Sequence, residues 1–192
     1  MTAKPSSNAE RRARLVEIVA ARSFQEGPEM RLASGKTSTF YFNMKPTMLD
    51  SEGAWLIASL ILDSLDGVEA DLIGGLEMGA VPIAASATTL AHARGRRLPA
   101  FFVRKQAKEH GTKSLIEGLG REETMVGKKV VIVEDVTTTG GSSIKAAEAI
   151  RAAGGTIVRV ITVVDRLDGA AEAFAAAGLE FQPLLTLADF KR

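Results

Sequence analysis

Cysteine is missing from this chain altogether, which excludes disulfides and thiolate metal sites. Histidine is nearly missing too: only His92 and His110 are present, too few for a histidine-rich zinc centre. No apolar segment approaches the roughly 20 residues a membrane-spanning helix needs, and the polar N-terminus lacks a secretory pattern, so a cytoplasmic protein without membrane contact is expected. Charge of one sign is not in excess either, with 24 Lys and Arg against 23 Asp and Glu and a formal charge of +1. That balance gives no global electrostatic case for nucleic acid or an acidic membrane, and basic residues matter only locally. Two phosphate-binding patterns are also lacking: G-x-x-x-x-G-K-[ST], and G-x-G-x-x-G after a predicted strand. Their absence disfavours a mononucleotide kinase and a nicotinamide-cofactor dehydrogenase. Internal repeats and long low-complexity tracts are not found.

What is present suits one globular domain over residues 1–192, with 46% hydrophobic residues supplying a substantial core. Leu15, Ile18 and Val19 fall at helical spacing among arginines and predict an amphipathic helix over Ala9 to Ala21. Ser51 or Asp50 can cap a second helix running through Trp55, Leu56, Leu60 and Ile61. Apolar strand candidates follow at Asp71 to Leu76, Pro99 to Val103, Lys129 to Val133, Ile157 to Val164 and Phe181 to Leu185. Helical segments near Val81 to Ala93, Ile144 to Ala153 and Ala170 to Ala177 separate them. Such alternation predicts an α/β protein with a central, mostly parallel sheet flanked by helices. The exception is Arg104 to Gly127, a long polar interval of the kind that usually has a function.

The most informative stretch runs Val130-Val-Ile-Val-Glu134-Asp135-Val136-Thr137-Thr138-Thr139-Gly140-Gly141-Ser142. Val130 to Val133 have the character of a strand buried on both faces, and Ser142 and Ser143 are good caps for a helix over Ile144 to Arg151. Backbone N–H groups from Thr137 to Ser142 can converge on an anion where Gly140 and Gly141 permit a tight curve. Glu134 and Asp135 would repel a bare phosphate, but they suit sugar hydroxyls or metal-bound water. The expected ligand is therefore a ribose phosphate. Ordinary helix-capping chemistry is the competing reading. The long interval opens with Arg104, Lys105, Lys108 and His110, four potentially cationic side chains within seven positions. This density suits a polyanionic leaving group, or simply a solvated charged loop.

The acidic pair followed by a Thr-rich turn resembles the signature of the type I phosphoribosyltransferases. The order Arg-Lys-x-x-Lys-x-His-Gly from Arg104 resembles the catalytic loop of the orotate phosphoribosyltransferases within that family. Ser34-Gly35-Lys36-Thr-Ser-Thr-Phe40-Tyr41-Phe42-Asn43 is similar to their orotate-binding segment. The chain departs from the family at Ala33 and Met78, positions where some members carry lysine.

The resemblance implies the type I phosphoribosyltransferase fold, with an N-terminal helix and hood over residues 1–49 and a mobile loop over 104–127. It also implies a homodimer in which that loop reaches the partner's active site. The substrates it implies are orotate and phosphoribosyl diphosphate, with Mg2+ carried largely on substrate oxygens rather than in a protein cage. Glu134 and Asp135 would position the ribose, and Val136, Thr137, Thr138, Thr139, Gly140, Gly141 and Ser142 would hold the phosphate, with Thr138 also at a ring carbonyl. Arg104, Lys105, Lys108 and His110 would meet the departing diphosphate. Lys36, Tyr41, Phe42 and Arg166 would take the base, Arg166 through its carboxylate. Read by themselves, Asp165-Arg166 after a strand is a local ion pair and Tyr41 and Phe42 are core aromatics. A purine phosphoribosyltransferase, and a non-catalytic regulator on the same fold, remain alternatives.

Overall fold

The computed structural model describes residues 5–31, 37–106 and 115–191. Helix α1 spans Asn8–Arg22 and opens on a reciprocal cap, in which Ser7 accepts from the Glu10 N–H while the Glu10 carboxylate accepts from the Ser7 N–H. Its Leu15, Ile18 and Val19 are buried, as their spacing predicts. Strands β1 (Phe24–Arg31) and β2 (Thr37–Phe42) then pair antiparallel as a separate small sheet. These strands were not anticipated. β1 carries Gly27 and Pro28 in its middle, and the pairing shifts register between Glu26 and Met30, so no clean alternation marks it. The short helix α2 (Lys45–Met48) leads to α3 (Ser51–Ser64). Of the two candidate caps Asp50 is the one used, accepting from the N–H groups of Glu52 and Gly53 at 3.0 and 3.1 Å.

The remaining strands are β3 (Leu72–Leu76), β4 (Ala100–Val103), β5 (Ile116–Glu117), β6 (Lys129–Thr137), β7 (Thr156–Asp165) and β8 (Phe181–Thr186). They form one sheet in the order β5-β4-β3-β6-β7-β8, parallel except for the β4–β5 pair. The connecting helices are α4 (Ala80–Ala93), α5 (Gly141–Ala152) and α6 (Ala170–Ala176). Alternate residues of β6 serve opposite faces: Val131 and Val133 join the core beneath α1, α3 and α4, whereas Val130 and Ile132 join the core beneath α5 and α6. That two-sided burial is why the strand reads as an unbroken apolar run.

From β3 the chain moves outward to β4, and from β6 it moves the other way to β7. The crevice beyond the carboxyl ends of β3 and β6 is thus the place where winding reverses, the usual ligand position in such sheets. The interval 104–127 is not one structureless loop, since residues 116–117 pair antiparallel with β4 and Met125 is buried in the core. The Arg104 N–H donates to the Leu115 carbonyl at 2.8 Å, closing the base of this excursion. Among the described residues no helix is long and apolar enough to cross a membrane.

Candidate active site

β6 does not stop at Val133, as the apolar run suggests, but continues through both acids to Thr137. The pleat therefore sends the two carboxylates to opposite sides. Glu134 turns toward α5, where its Oε2 accepts a 2.8 Å hydrogen bond from Ser143 Oγ. Asp135 turns toward the connection from β3 to α4, where a side chain on Gly79 would collide with its Oδ1. Only a glycine lets that backbone lie directly on the carboxylate. Asp135 Oδ1 also accepts from the Val136 N–H at 2.9 Å.

Burial pushes the Glu134 carboxyl up to about 7; the hydrogen bond from Ser143 opposes this, the neighbouring Asp135 adds to it and Lys105 opposes it. Burial raises Asp135 as well, opposed by its backbone hydrogen bonds and by the positive charges of Lys45 and Lys105. Lys45 was missed in the sequence because no local pattern marks it; α2 brings it to the site. Lys105 is held through its backbone, its N–H donating to Glu77 Oε1 at 2.9 Å and its carbonyl accepting from Lys145 Nζ at 3.1 Å. Arg104 donates to the Gln106 carbonyl at 3.2 Å and pairs with Glu117 at 3.8 Å. Lys36, Lys108 and His110 lie outside the described residues. Met78, joined to Glu77 by a cis peptide bond, is exposed.

Residues Glu134 to Ser142 line a cavity of about 400 Å³. α5 begins at Gly141, three residues earlier than its apolar spacing suggests, behind Gly140 in the left-handed conformation at φ +80°. Ser142 and Ser143 are thus not caps but lie in the first turn, and no side chain caps the helix. The first-turn N–H groups are without a side-chain cap, and with the positive end of the helix dipole they could hold an anion. Thr137 Oγ1 is buried with no partner among the described residues.

At the other end of the crevice, the Thr137 carbonyl accepts from the Arg166 N–H at 3.0 Å. Asp165 and Arg166 do not simply neutralise each other: Asp165 accepts from the Leu167 N–H, while Arg166 Nη2 donates to Ser38 Oγ at 3.0 Å. Arg166 is only 6% exposed, and its guanidinium carbon lies 4.5 Å from the centre of the Phe40 ring; its Nε has no partner among the described residues. Burial lowers its pKa, and Asp168 opposes that shift. Tyr41 is exposed, whereas Phe42 packs inward against Phe24 and Phe190 at 5.0 and 5.2 Å between ring centres, in keeping with a core aromatic. Ser38, Lys45 and Lys145 had not been singled out, and Gly79 had been read only as part of the turn from Gly75 to Pro82 that resembles the family's diphosphate-contacting turn, not as a neighbour of Asp135.

The crevice thus combines an amide-lined anion cradle, two carboxylates and a nearby arginine suited to a planar anion. Among the described residues no three acidic or histidine side chains converge as a metal cage. The phosphoribosyl transferase domain family matches residues 48–175. An orotate phosphoribosyltransferase of Rhodopseudomonas palustris is 59% identical over 179 residues, covering 93% of this chain and 95% of that protein. A solved orotate phosphoribosyltransferase of Mycobacterium tuberculosis H37Rv superposes with a TM-score of 0.80 at 39% identity, covering 95% of this chain and 99% of its own. The same protein in complex with 5-phospho-alpha-D-ribosyl 1-diphosphate gives a TM-score of 0.74 at 35% identity, covering 94% of this chain and 92% of its own.

Proposed function

Because this chain belongs to the phosphoribosyltransferase family, and within it to the orotate phosphoribosyltransferases, we propose how its residues carry out that reaction. The chain is a pentosyltransferase that joins orotate to phosphoribosyl diphosphate and yields orotidine 5′-monophosphate and diphosphate, a step of pyrimidine biosynthesis. A bond forms from orotate N1 to ribose C1 as the C1–oxygen bond breaks. Diphosphate leaves with the electron pair, and the N1 proton is released.

The amides of Thr137 to Ser142 hold the 5′-phosphate at the start of α5, and Glu134 and Asp135 accept hydrogen bonds from the ribose hydroxyls. Arg166 takes the orotate carboxylate through two parallel hydrogen bonds, with Thr138 at a ring carbonyl and Tyr41 beside the pyrimidine. Lys36 is the remaining base-side contact in this reading. As C1 gains positive charge and the diphosphate gains negative charge, Arg104, Lys105, Lys108 and His110 supply cations and exclude water.

Glu134 and Asp135 offer carboxylate oxygens beside the cradle, donor chemistry that fits magnesium. Mg2+ bound on substrate oxygens would neutralise part of the diphosphate charge. The proposal extends to a homodimer in which residues 104–127 serve the partner's site, and to action in the cytoplasm.

The observation that carries this reading is the hydrogen bond between the Arg166 N–H and the Thr137 carbonyl, which fastens the carboxylate-reading cation to the phosphate cradle. The test is a coupled assay offering orotate, adenine, hypoxanthine and xanthine with phosphoribosyl diphosphate and magnesium. Turnover with orotate alone is expected; turnover of a purine in its place overturns the assignment of the base end.

A further inference from the structure

Phe40 carries two cations. The Arg166 guanidinium carbon lies 4.5 Å from its ring centre and Lys191 Nζ lies 4.6 Å from it. Those two distances together keep the charges within about 9 Å of each other. Lys191 is not a loose tail. Its N–H donates to the Leu187 carbonyl at 3.3 Å, and the adjoining Phe190 packs on Phe24 and Phe42 at 5.4 and 5.2 Å. Asp189 accepts from Arg12 of α1 and from the Thr186 N–H, which ties the same segment to the first helix and to the end of β8. Because Thr186 lies in register with Asp165, the residues that follow β8 run beside those that follow β7.

The charges around this ring are unequal. Asp189 is engaged by Arg12, Asp165 accepts from the Leu167 N–H, and Asp168 exerts its field on Arg166 from the loop after β7. Arg166 is buried while Lys191 is exposed at the rim, and their two positive charges share the negative face potential of one ring and repel each other. A ligand bearing a carboxylate relieves that repulsion and is attracted by both. An uncharged base of the same shape gains neither effect.

Resting on the assignment of Arg166 to the base end, we infer that Lys191 is a further specificity-determining residue, which with Arg166 makes a two-cation rim selecting a carboxylate-bearing base. It is distant from the phosphate cradle in role: its charge acts on the base and not on the diphosphate.

Steady-state kinetics of Lys191→Met and Lys191→Arg, with orotate and phosphoribosyl diphosphate varied separately, test this. In Lys191→Met the KM for orotate is expected to rise about three- to twentyfold, more than kcat falls, with the KM for phosphoribosyl diphosphate within about twofold of the parent. Lys191→Arg keeps the charge and is expected to restore orotate affinity, and added salt should narrow the gap between the two variants. An unchanged orotate KM in Lys191→Met, an equal rise in both KM values, or an arginine variant as impaired as the methionine one overturns the inference. Arg166→Ala measured alongside separates the two readings. If it leaves orotate affinity intact, the base-end assignment falls and Lys191 with it. If it weakens orotate while Lys191→Met does not, only the role of Lys191 falls.

Discussion

Glu134 is held partly protonated near neutrality because the fold buries it beneath α5 and offers it one hydroxyl donor. Its carboxyl titrates at about 7 in the folded chain against an ordinary 4.5, so the folded state binds the proton more tightly than the unfolded state does. Stability from this group is therefore fully present below pH 4.5, declines as pH rises from 4.5 to about 7, and is lost above that. Ligand binding has the opposite dependence. A carboxylate that must accept from ribose hydroxyls has to lose its proton first. Affinity for phosphoribosyl diphosphate should climb with pH and level off above about 7, being about tenfold weaker one unit below that point. Calorimetric titration at pH 6 in two buffers of different ionisation enthalpy should detect proton release that is smaller in Glu134→Gln, since that variant removes the Glu134 share and leaves those of Asp135 and the ligand. Equal proton release by the two proteins would remove Glu134 from the ribose site. The two acids are adjacent in the sequence, but only the strand pleat directs one to Ser143 and the other to Gly79.

At the scale of elements, the turn from β6 into α5 depends on one backbone conformation. Gly140 sits at φ +80°, and a Cβ there would lie 3.0 Å from the Phe174 ring. Gly140→Ala should cost about 1–3 kcal/mol in urea unfolding and weaken phosphoribosyl diphosphate more than orotate, because the cradle amides shift with the helix start. An unchanged unfolding midpoint would mean that the turn relaxes freely. The glycine pair was legible in the sequence as a tight curve, since glycine alone adopts positive φ without strain. The helix onset was not: serines are ordinary caps, and only the contact with Glu134, nine residues away, draws Ser143 into the first turn. β6 likewise overruns its apolar stretch because β7 continues to pair with it as far as Thr137 and Asp165. Acidic residues near the end of a strand give no local sign that pairing persists.

At the scale of the whole molecule, a loop that serves a partner's site predicts a specific pattern of rescue. Lys108→Ala and Arg166→Ala should each be nearly inactive, one losing turnover and the other orotate affinity. Mixed and allowed to exchange subunits, they should regain about a quarter of the parental activity, because random pairing leaves one intact site in each mixed dimer. No recovery after demonstrated exchange would place the loop in its own subunit's site. Two cores, one on each face of the sheet, support the strands on either side of the crevice between β3 and β6.

The amino-acid order alone determined the alternation of strands and helices, the mostly parallel sheet and the glycine turn after β6, because buried strands, amphipathic helices and glycine turns are written in neighbouring residues. The tertiary structure decided which distant groups meet: Ser38 with Arg166 across 128 positions, Gly79 with Asp135, Lys45 near the acids, and Lys191 over Phe40. Those meetings follow from strand order and from the packing of the small β1–β2 sheet against the chain's last residues. No local pattern encodes either, since each is settled by burying surfaces contributed from opposite ends of the sequence.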